Sequence, residues 1–253
     1  MDKPSLAVLG TGVSFQNPES ALVSSLECGF EWCDMQTELL PPMLRRRTSM
    51  ATKLAFAAAE RACSSANIMP SELPVIFTSS LGEIGVTDKL CSAIAHQQLP
   101  VSPTQFHNSV HNTASGYWSI AVGNKHPAMA MAGYHDGFAL ALLEAWSQLH
   151  TIEKTLLLVC YEEIPPQLLL PGNQWIGCAS AFVLAAEQPA GENVARLSMP
   201  YCDAEMRSDQ RYGDQSPALA AMPLLKAVEQ NVSGTVQISP AEDGAWFTEL
   251  SCP

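Results

Sequence analysis

Positive charge is scarce in this sequence. Thirteen lysines and arginines stand against 25 aspartates and glutamates, a formal net charge of −12. Nucleic acid is held by basic side chains that neutralise phosphates, so this composition argues against such a partner, and against an anionic membrane for the same reason. The only dense basic cluster, Arg45-Arg46-Arg47, reads as a solvated helix start or a subunit salt bridge rather than a ligand site. Long apolar runs are missing too, since no stretch approaches the ~20 residues needed to span a bilayer. Met1-Asp2-Lys3-Pro4 leads straight into a strand-like run without the layout of a signal peptide. The eight cysteines (Cys28, Cys33, Cys63, Cys91, Cys160, Cys178, Cys202 and Cys252) form no CxxC pair. The spacing of Cys28 and Cys33 has no second pair to complete a zinc site. Scattered thiols of this kind fit the cytoplasm as the expected compartment. No Gly-x-Ser-x-Gly elbow exists for serine acyl chemistry. Gly10-Thr11-Gly12 is short of the glycines of a dinucleotide fingerprint, and its acidic partner is missing. No cofactor and no metal are expected.

What the chain does have is apolar mass: 47% of residues are hydrophobic and only 15% charged. A chain of 253 residues can bury one substantial core. The excess is accounted for either by a large core or by a permanent interface that hides apolar surface, and composition leaves both open.

Periodicity predicts alternating strands and helices. Ser5 to Val13 reads as a buried strand, Thr48 to Ala66 as a helix with an alanine-rich face, and Pro74 to Ser80 as a second strand. A helix through about Gln97 follows, then one over Thr113 to Gly123. Next come a strand at Pro127 to Ala132 and a helix from Asp136, its expected N-cap, to Leu149. Thr155 to Cys160 and Ala179 to Glu187 form a strand pair around a Pro- and Gly-rich excursion, Ile164 to Gly177. Beyond it lie a strand at Ala195 to Met199, a polar loop at Asp203 to Asp214, a helix at Ser216 to Gln230, and a hairpin of Gly234 to Ile238 with Trp246 to Leu250. The expected class is α/β: a mostly parallel mixed sheet covered by helices, in a single domain 1–253.

Four constellations could carry chemistry. Ala132-Gly133-Tyr134-His135-Asp136-Gly137 is a strand-to-helix turn of the kind that holds a nucleophile, yet its residue is a tyrosine. A thiol at a helix start gains thiolate character, whereas tyrosine, with an unperturbed pKa near ~10, gains little. Phe106-His107-Asn108-Ser109-Val110-His111-Asn112 places two histidines four apart. It follows Pro103 and so reads as loop, with His135 the only available third metal ligand. Ser109 lies between those histidines without the geometry of a triad. Cys160 and Cys178 sit in apolar surroundings that keep a thiol inert.

The run from Ser102-Pro103 to Trp146 resembles the N-terminal half of β-ketoacyl synthases. The residues that carry the likeness are Ser-Pro, His107-Asn-Ser-Val-His-Asn-Thr-Ala-Ser-Gly-Tyr-Trp118, the Pro127 strand, the glycine elbow and the Ala/Leu helix. More closely, the run is similar to the small β-ketoacyl synthase-like proteins that accompany ketosynthases of bacterial aryl-polyene pigment clusters, in a role likened to a chain-length factor. Arg45-Arg46-Arg47 and Thr78-Ser79-Ser80-Leu81-Gly82 fit the same pattern. The likeness covers Ser5 to Glu187, leaving a divergent C-terminal extension from about 188. It implies a single half of a thiolase-like fold. It also puts the elbow cysteine's place at Tyr134, with Gly137 as the matching glycine, so no residue is expected to be catalytic. The implied role is a non-catalytic subunit that pairs with a full-length ketosynthase, as a heterodimer or higher hetero-oligomer, and shapes its acyl (polyene) tunnel. Phe106, His107, Val110, His111, Asn112, Tyr117, Tyr134, His135 and Asp136 are the expected interface and tunnel residues, with Trp118 adding bulk. An acyl carrier protein would be met only through the partner. The alternatives are a stand-alone acyltransferase or thioester hydrolase using His111, His135 or a cysteine, and a self-associating ligand-binding protein.

Overall fold

The computed structural model describes residues 4–24, 26, 35, 37–97, 100–169, 175–186, 194–205, 215–239 and 244–253. The Cys28/Cys33 spacing, Glu187 and most of the Asp203–Asp214 stretch lie outside them. In chain order the elements are β1 (Leu6–Phe15), α1 (Ala21–Ser24), α2 (Pro42–Arg45), α3 (Met50–Ala66), β2 (Val75–Thr78), α4 (Ile84–Ala95), α5 (Pro103–His107), α6 (Thr113–Val122) and β3 (Ala128–Met131). They continue with α7 (Gly137–Thr151), β4 (Thr155–Glu162), β5 (Cys178–Ala185), β6 (Arg196–Leu197), β7 (Tyr201–Asp203), α8 (Met222–Glu229), β8 (Gly234–Gln237) and β9 (Ala245–Ser251).

One mixed sheet runs β3-β2-β4-β5-β1-β6-β9-β7, with β8 also paired to β9. The central strands are apolar throughout because both faces of the sheet are covered. Along β4, Leu156, Leu158 and Cys160 join the core under α7 and α8, while Leu157, Val159 and Tyr161 join the core under α3 and α6. The layered α/β class stands as expected, but the share of parallel pairing does not. Among the described residues only β2 pairs in parallel, with β3 and with β4, and every other pairing is antiparallel. Unbroken apolar runs record burial on two faces, which an antiparallel strand satisfies equally well. No helix lies in the described part of the β4–β5 connection, so the chain turns back beside itself.

The best-defined helix is α3. Ser49 caps its start by accepting from Thr52 N at 2.9 Å, and Asn67 ends it in the left-handed region at φ 53°. Its alanine face lies directly on β1. A Cβ on Gly10 or Gly12 would run into the backbone carbonyls of Ala62 and Ala58, so those glycines serve helix–strand contact. Thr11, between them, faces the other way and donates to Glu229 on α8 at 2.5 Å.

Three local expectations are corrected. The segment from Pro103 is helical through His107, because Ser102 caps it and Pro103 supplies a first-turn φ, and only the turns at 108–112 match a loop. Asp136 takes the N-cap position of α7 without making a side-chain cap bond. The Ser216 helix is a 3₁₀ turn at Pro217–Ala221 followed by α8, whose start carries Pro223, a residue with no N–H for a preceding turn. Strand β7 had no clear signal. The terminal hairpin forms as expected and joins the main sheet through β6.

The α3–β1 contact generates a prediction. Gly12→Ala should cost about 3 kcal/mol, read as a lowered urea midpoint with an unchanged m-value, because the new methyl meets backbone that cannot step aside.

Candidate functional site

The elbow is built where edge strand β3 leaves the sheet. Gly133 and Gly137 bracket a 3₁₀ turn, Tyr134–Asp136, closed by Asp136 N donating to Gly133 O at 3.0 Å. Tyr134 sits at φ 50°, in the left-handed region that a non-glycine residue enters at a cost of about 1–3 kcal/mol. The bracketing glycines let the turn close, since a Cβ on Gly133 would lie 2.9 Å from the Gly137 Cα. The end of β2 braces it from outside. Ser80 Oγ donates to Tyr134 O at 2.8 Å, and Thr78 Oγ1 reaches Gly137 O at 3.3 Å. Tyr134 is 61% exposed, and its ring meets the His135 ring edge-on, with centroids 4.0 Å apart. His135 Nδ1 and Asp136 Oδ1 are buried with no hydrogen-bond partner among the described residues.

The second group of expected residues gathers on α5 and α6. His107, Val110, Asn112, Thr113, Gly116, Tyr117 and Ile120 line a groove of about 190 Å³. Buried Asn108 organises it, donating to Arg47 O at 2.6 Å and accepting from the Tyr117 hydroxyl at 2.9 Å. Phe106, Val110 and Ile120 expose apolar surface beside it. His111 stands apart from His107, donating through Nε2 to Ser79 O at 2.8 Å, while His107 Nδ1 donates to Asn108 Oδ1 at 3.2 Å. Among the described residues no group of three or more His, Cys, Asp or Glu is placed to hold a metal ion. Trp118 is a correction: it is fully buried against Phe56 and Phe77, a core residue rather than a tunnel wall.

The candidate nucleophiles are occupied or shielded. Ser109 Oγ donates to Phe106 O at 2.8 Å. Cys160 is buried on β4, where desolvation pushes its thiol well above the ordinary range. Arg45 is spent on backbone, with its guanidinium donating to Thr37 O and Leu40 O.

Sequence reasoning missed three acids behind the elbow. Glu83, Glu162 and Glu163 are 2%, 1% and 6% exposed. Glu162 accepts from the backbone N–H of Ser80 and of Leu81, Glu163 from Gly85 N at 2.8 Å, and Glu83 from the Thr52 hydroxyl at 2.8 Å. A signal was present, for two carboxylates close a wholly apolar strand run, Leu156 to Tyr161.

The profile of the family described as β-ketoacyl synthase, N-terminal domain, matches residues 27–246. This chain belongs to that family. Solved structures share its fold. A ketosynthase (ApeO) in complex with its chain length factor (ApeC) from Xenorhabdus doucetiae contains a chain 21% identical, at a TM-score of 0.70 over 98% of this chain and 100% of that one. The ishigamide ketosynthase/chain length factor matches at 12% identity and TM-score 0.75, covering 98% and 99%. The type II polyketide synthase complex AntDE:AntF matches at 11% identity and TM-score 0.76 over the whole of both chains. At these identities the likeness establishes the thiolase-like ketosynthase fold. No curated protein matches the sequence. Among the described residues no helix is long and apolar enough to cross a membrane.

In this β-ketoacyl synthase family chain, desolvation raises Glu83 from 4.5 to about 7, against the easing effect of the Ser49 and Thr52 hydroxyls. A raised carboxyl favours the fold fully below 4.5, and that contribution is lost as pH rises through about 7. Glu83→Gln should therefore gain on the wild type between about pH 5 and pH 8, by about 2 kcal/mol, in paired urea titrations. A difference that stays flat with pH counts against the assignment.

Proposed function

We propose that this chain is a non-catalytic, chain-length-factor-like subunit that pairs with a full-length ketosynthase and shapes its acyl tunnel, in polyketide- and fatty-acid-type biosynthesis of an aryl polyene. The observation that carries the reading is Tyr134: a phenol occupies a positive-φ elbow where the family's pattern puts a cysteine. Claisen condensation needs a thiolate to carry the acyl group, and a phenol is a poor substitute. Two of the buried thiols are poor replacements, because Cys160 is desolvated inside the sheet and Cys63 is pushed up to about 12 by burial. Three of the solved structures with this fold are described as ketosynthases, two of them with a chain length factor, which supports the partner reading.

The surface suits pairing. Among the described residues strand β3 ends the sheet, bonded only to β2, and its Ala128–Met131 side chains are exposed or half-buried. An open apolar edge is a template for another chain. Beside it stand exposed Ile120, Val110 and Phe106, a patch too apolar to leave wet. On this reading Phe106, His107, Val110, His111, Asn112, Tyr117, Tyr134, His135 and Asp136 form the interface and tunnel surface. The segment from about 188 completes the same domain by extending the sheet. An acidic carrier protein would dock on the partner, since a chain with net charge −12 repels it. The cytoplasm is the compartment we assign.

Two outcomes test this. Tyr134→Ala in the co-expressed complex should lengthen the product by one or more extension units, because a rigid ring is removed from the cavity; product profiles identical to wild type would remove Tyr134 from the tunnel. Ile120→Glu should weaken co-purification with the ketosynthase roughly tenfold or more, as expected for a charge forced into an apolar contact. A stable side-chain adduct after incubating the chain alone with an acyl thioester would favour the stand-alone acyltransferase or hydrolase instead.

A further inference from the structure

The two halves of the site, elbow and groove, share no hydrogen bond among the described residues. They meet on the turn Ser79–Gly82 that follows β2. Ser80 Oγ holds the Tyr134 carbonyl, and His111 Nε2 holds the Ser79 carbonyl. The turn is braced internally by Gly82 N donating to Ser79 Oγ at 2.7 Å, with Gly82 at φ 56°. The turn is anchored to the sheet by the Glu162 carboxylate, which accepts the N–H of Ser80 and of Leu81. Glu162 is 1% exposed, at the end of β4. Burying a carboxylate costs several kcal/mol unless its environment compensates. Here the compensation is backbone N–H groups on the one turn that touches both parts of the site. Glu163 and Glu83 bond elsewhere, on Gly85 at α4 and Thr52 on α3.

We propose that Glu162 is the positioning residue of the site: through the Ser79–Leu81 turn it holds Tyr134 in its left-handed conformation and His111, which lies in the chain between the groove residues Val110 and Asn112, as one unit. The proposal rests on the tunnel reading only for its consequence, that loosening Glu162 lets Tyr134 retreat and admits longer chains. The geometric claim stands on this chain alone.

Protonation supplies a way to read the coupling. Desolvation raises Glu162 to about 7, against the backbone N–H of Ser80 and Leu81 and the hydroxyls of Ser79 and Ser80. Neutralising the carboxylate weakens its charge-assisted bonds to the turn. On its own strand and the next, the titratable neighbours are Cys160, Tyr161, Glu163 and Cys178. From the other elements packed here come Glu83 and Lys89 at α4, His111 before α6, and His135 and Asp136 at the elbow.

The test is NMR of the full chain carrying 3-fluorotyrosine and labelled histidine, with the Tyr134 signal among five tyrosines assigned by Tyr134→Phe. Spectra run from about pH 5 to about pH 9. In the wild type the Tyr134 and His111 signals should move together with one midpoint near 7, where burial places the Glu162 carboxyl. Glu162→Gln should abolish the Tyr134 movement, while Glu83→Gln and Glu163→Gln keep it. Ser80→Ala should silence Tyr134 and leave the His111 movement, and it stands in should Glu162→Gln not fold. A Tyr134 titration that persists in Glu162→Gln, or in Ser80→Ala, overturns the proposal. A Tyr134→Ala complex with unaltered products would instead sink the tunnel reading and leave the Glu162 coupling intact.

Discussion

A serine hydroxyl on the turn after β2 donating to the carbonyl of Tyr134 is the contact on which this site depends. Left alone, a tyrosine at φ 50° relaxes, because its Cβ crowds its own backbone there. It stays because its surroundings over-determine it: glycines on both sides allow the turn to close, and two hydroxyls from β2 and its turn hold it from outside. The elbow conformation of this chain is thus kept by its supports rather than by its own side chain. That separates the architecture of the site from its chemistry, and it is why a phenol can stand there without unfolding the turn.

The supports are themselves held by charge in an apolar place. Three carboxylates lie within the β4 end and the start of α4, each almost fully buried, and the hydrogen bonds that satisfy them come from backbone N–H and hydroxyl groups. Backbone donors cannot move away as a flexible lysine can, so they fix position at the expense of stability. Among the described residues Glu83 Oε2 is buried without a hydrogen-bond partner, which fits a region organised for placement.

Much of this was legible in the residues. The apolar run of β4, the alanine face of α3 and the strand-turn-helix at Tyr134 each have a local signature that the structure obeys. Other features were not, for physical reasons. Strand direction leaves no mark when both faces are buried, so β4 and β5 read as well in parallel as in antiparallel. Asp136 carries the residue type of a cap, but the 3₁₀ turn before it takes the backbone away from capping geometry. Trp118 shares a helix with Tyr117, and only the helix's seating decides that one ring faces the core and the other the groove. The acids bond across some eighty residues of sequence, Glu162 to Ser80 and Glu163 to Gly85, a distance over which local pattern says nothing.

The uncovered edge carries the functional argument one step further. Natural sheets protect an end strand with lysine, a bulge or inward charge. Strand β3 reads Ala-Met-Ala-Met and has none of these along its length. An edge so composed is a template for another chain, and exposed Ile120, Val110 and Phe106 add apolar surface that a partner could cover. Tyr134 lies three residues past Met131, and at about 3.3 Å per residue that puts it within about 10 Å of the seam any covering strand would make. On the proposed reading, an exposed aromatic ring whose backbone is held beside such a seam can reach a cavity in the neighbouring chain, as a subunit working by shape would require.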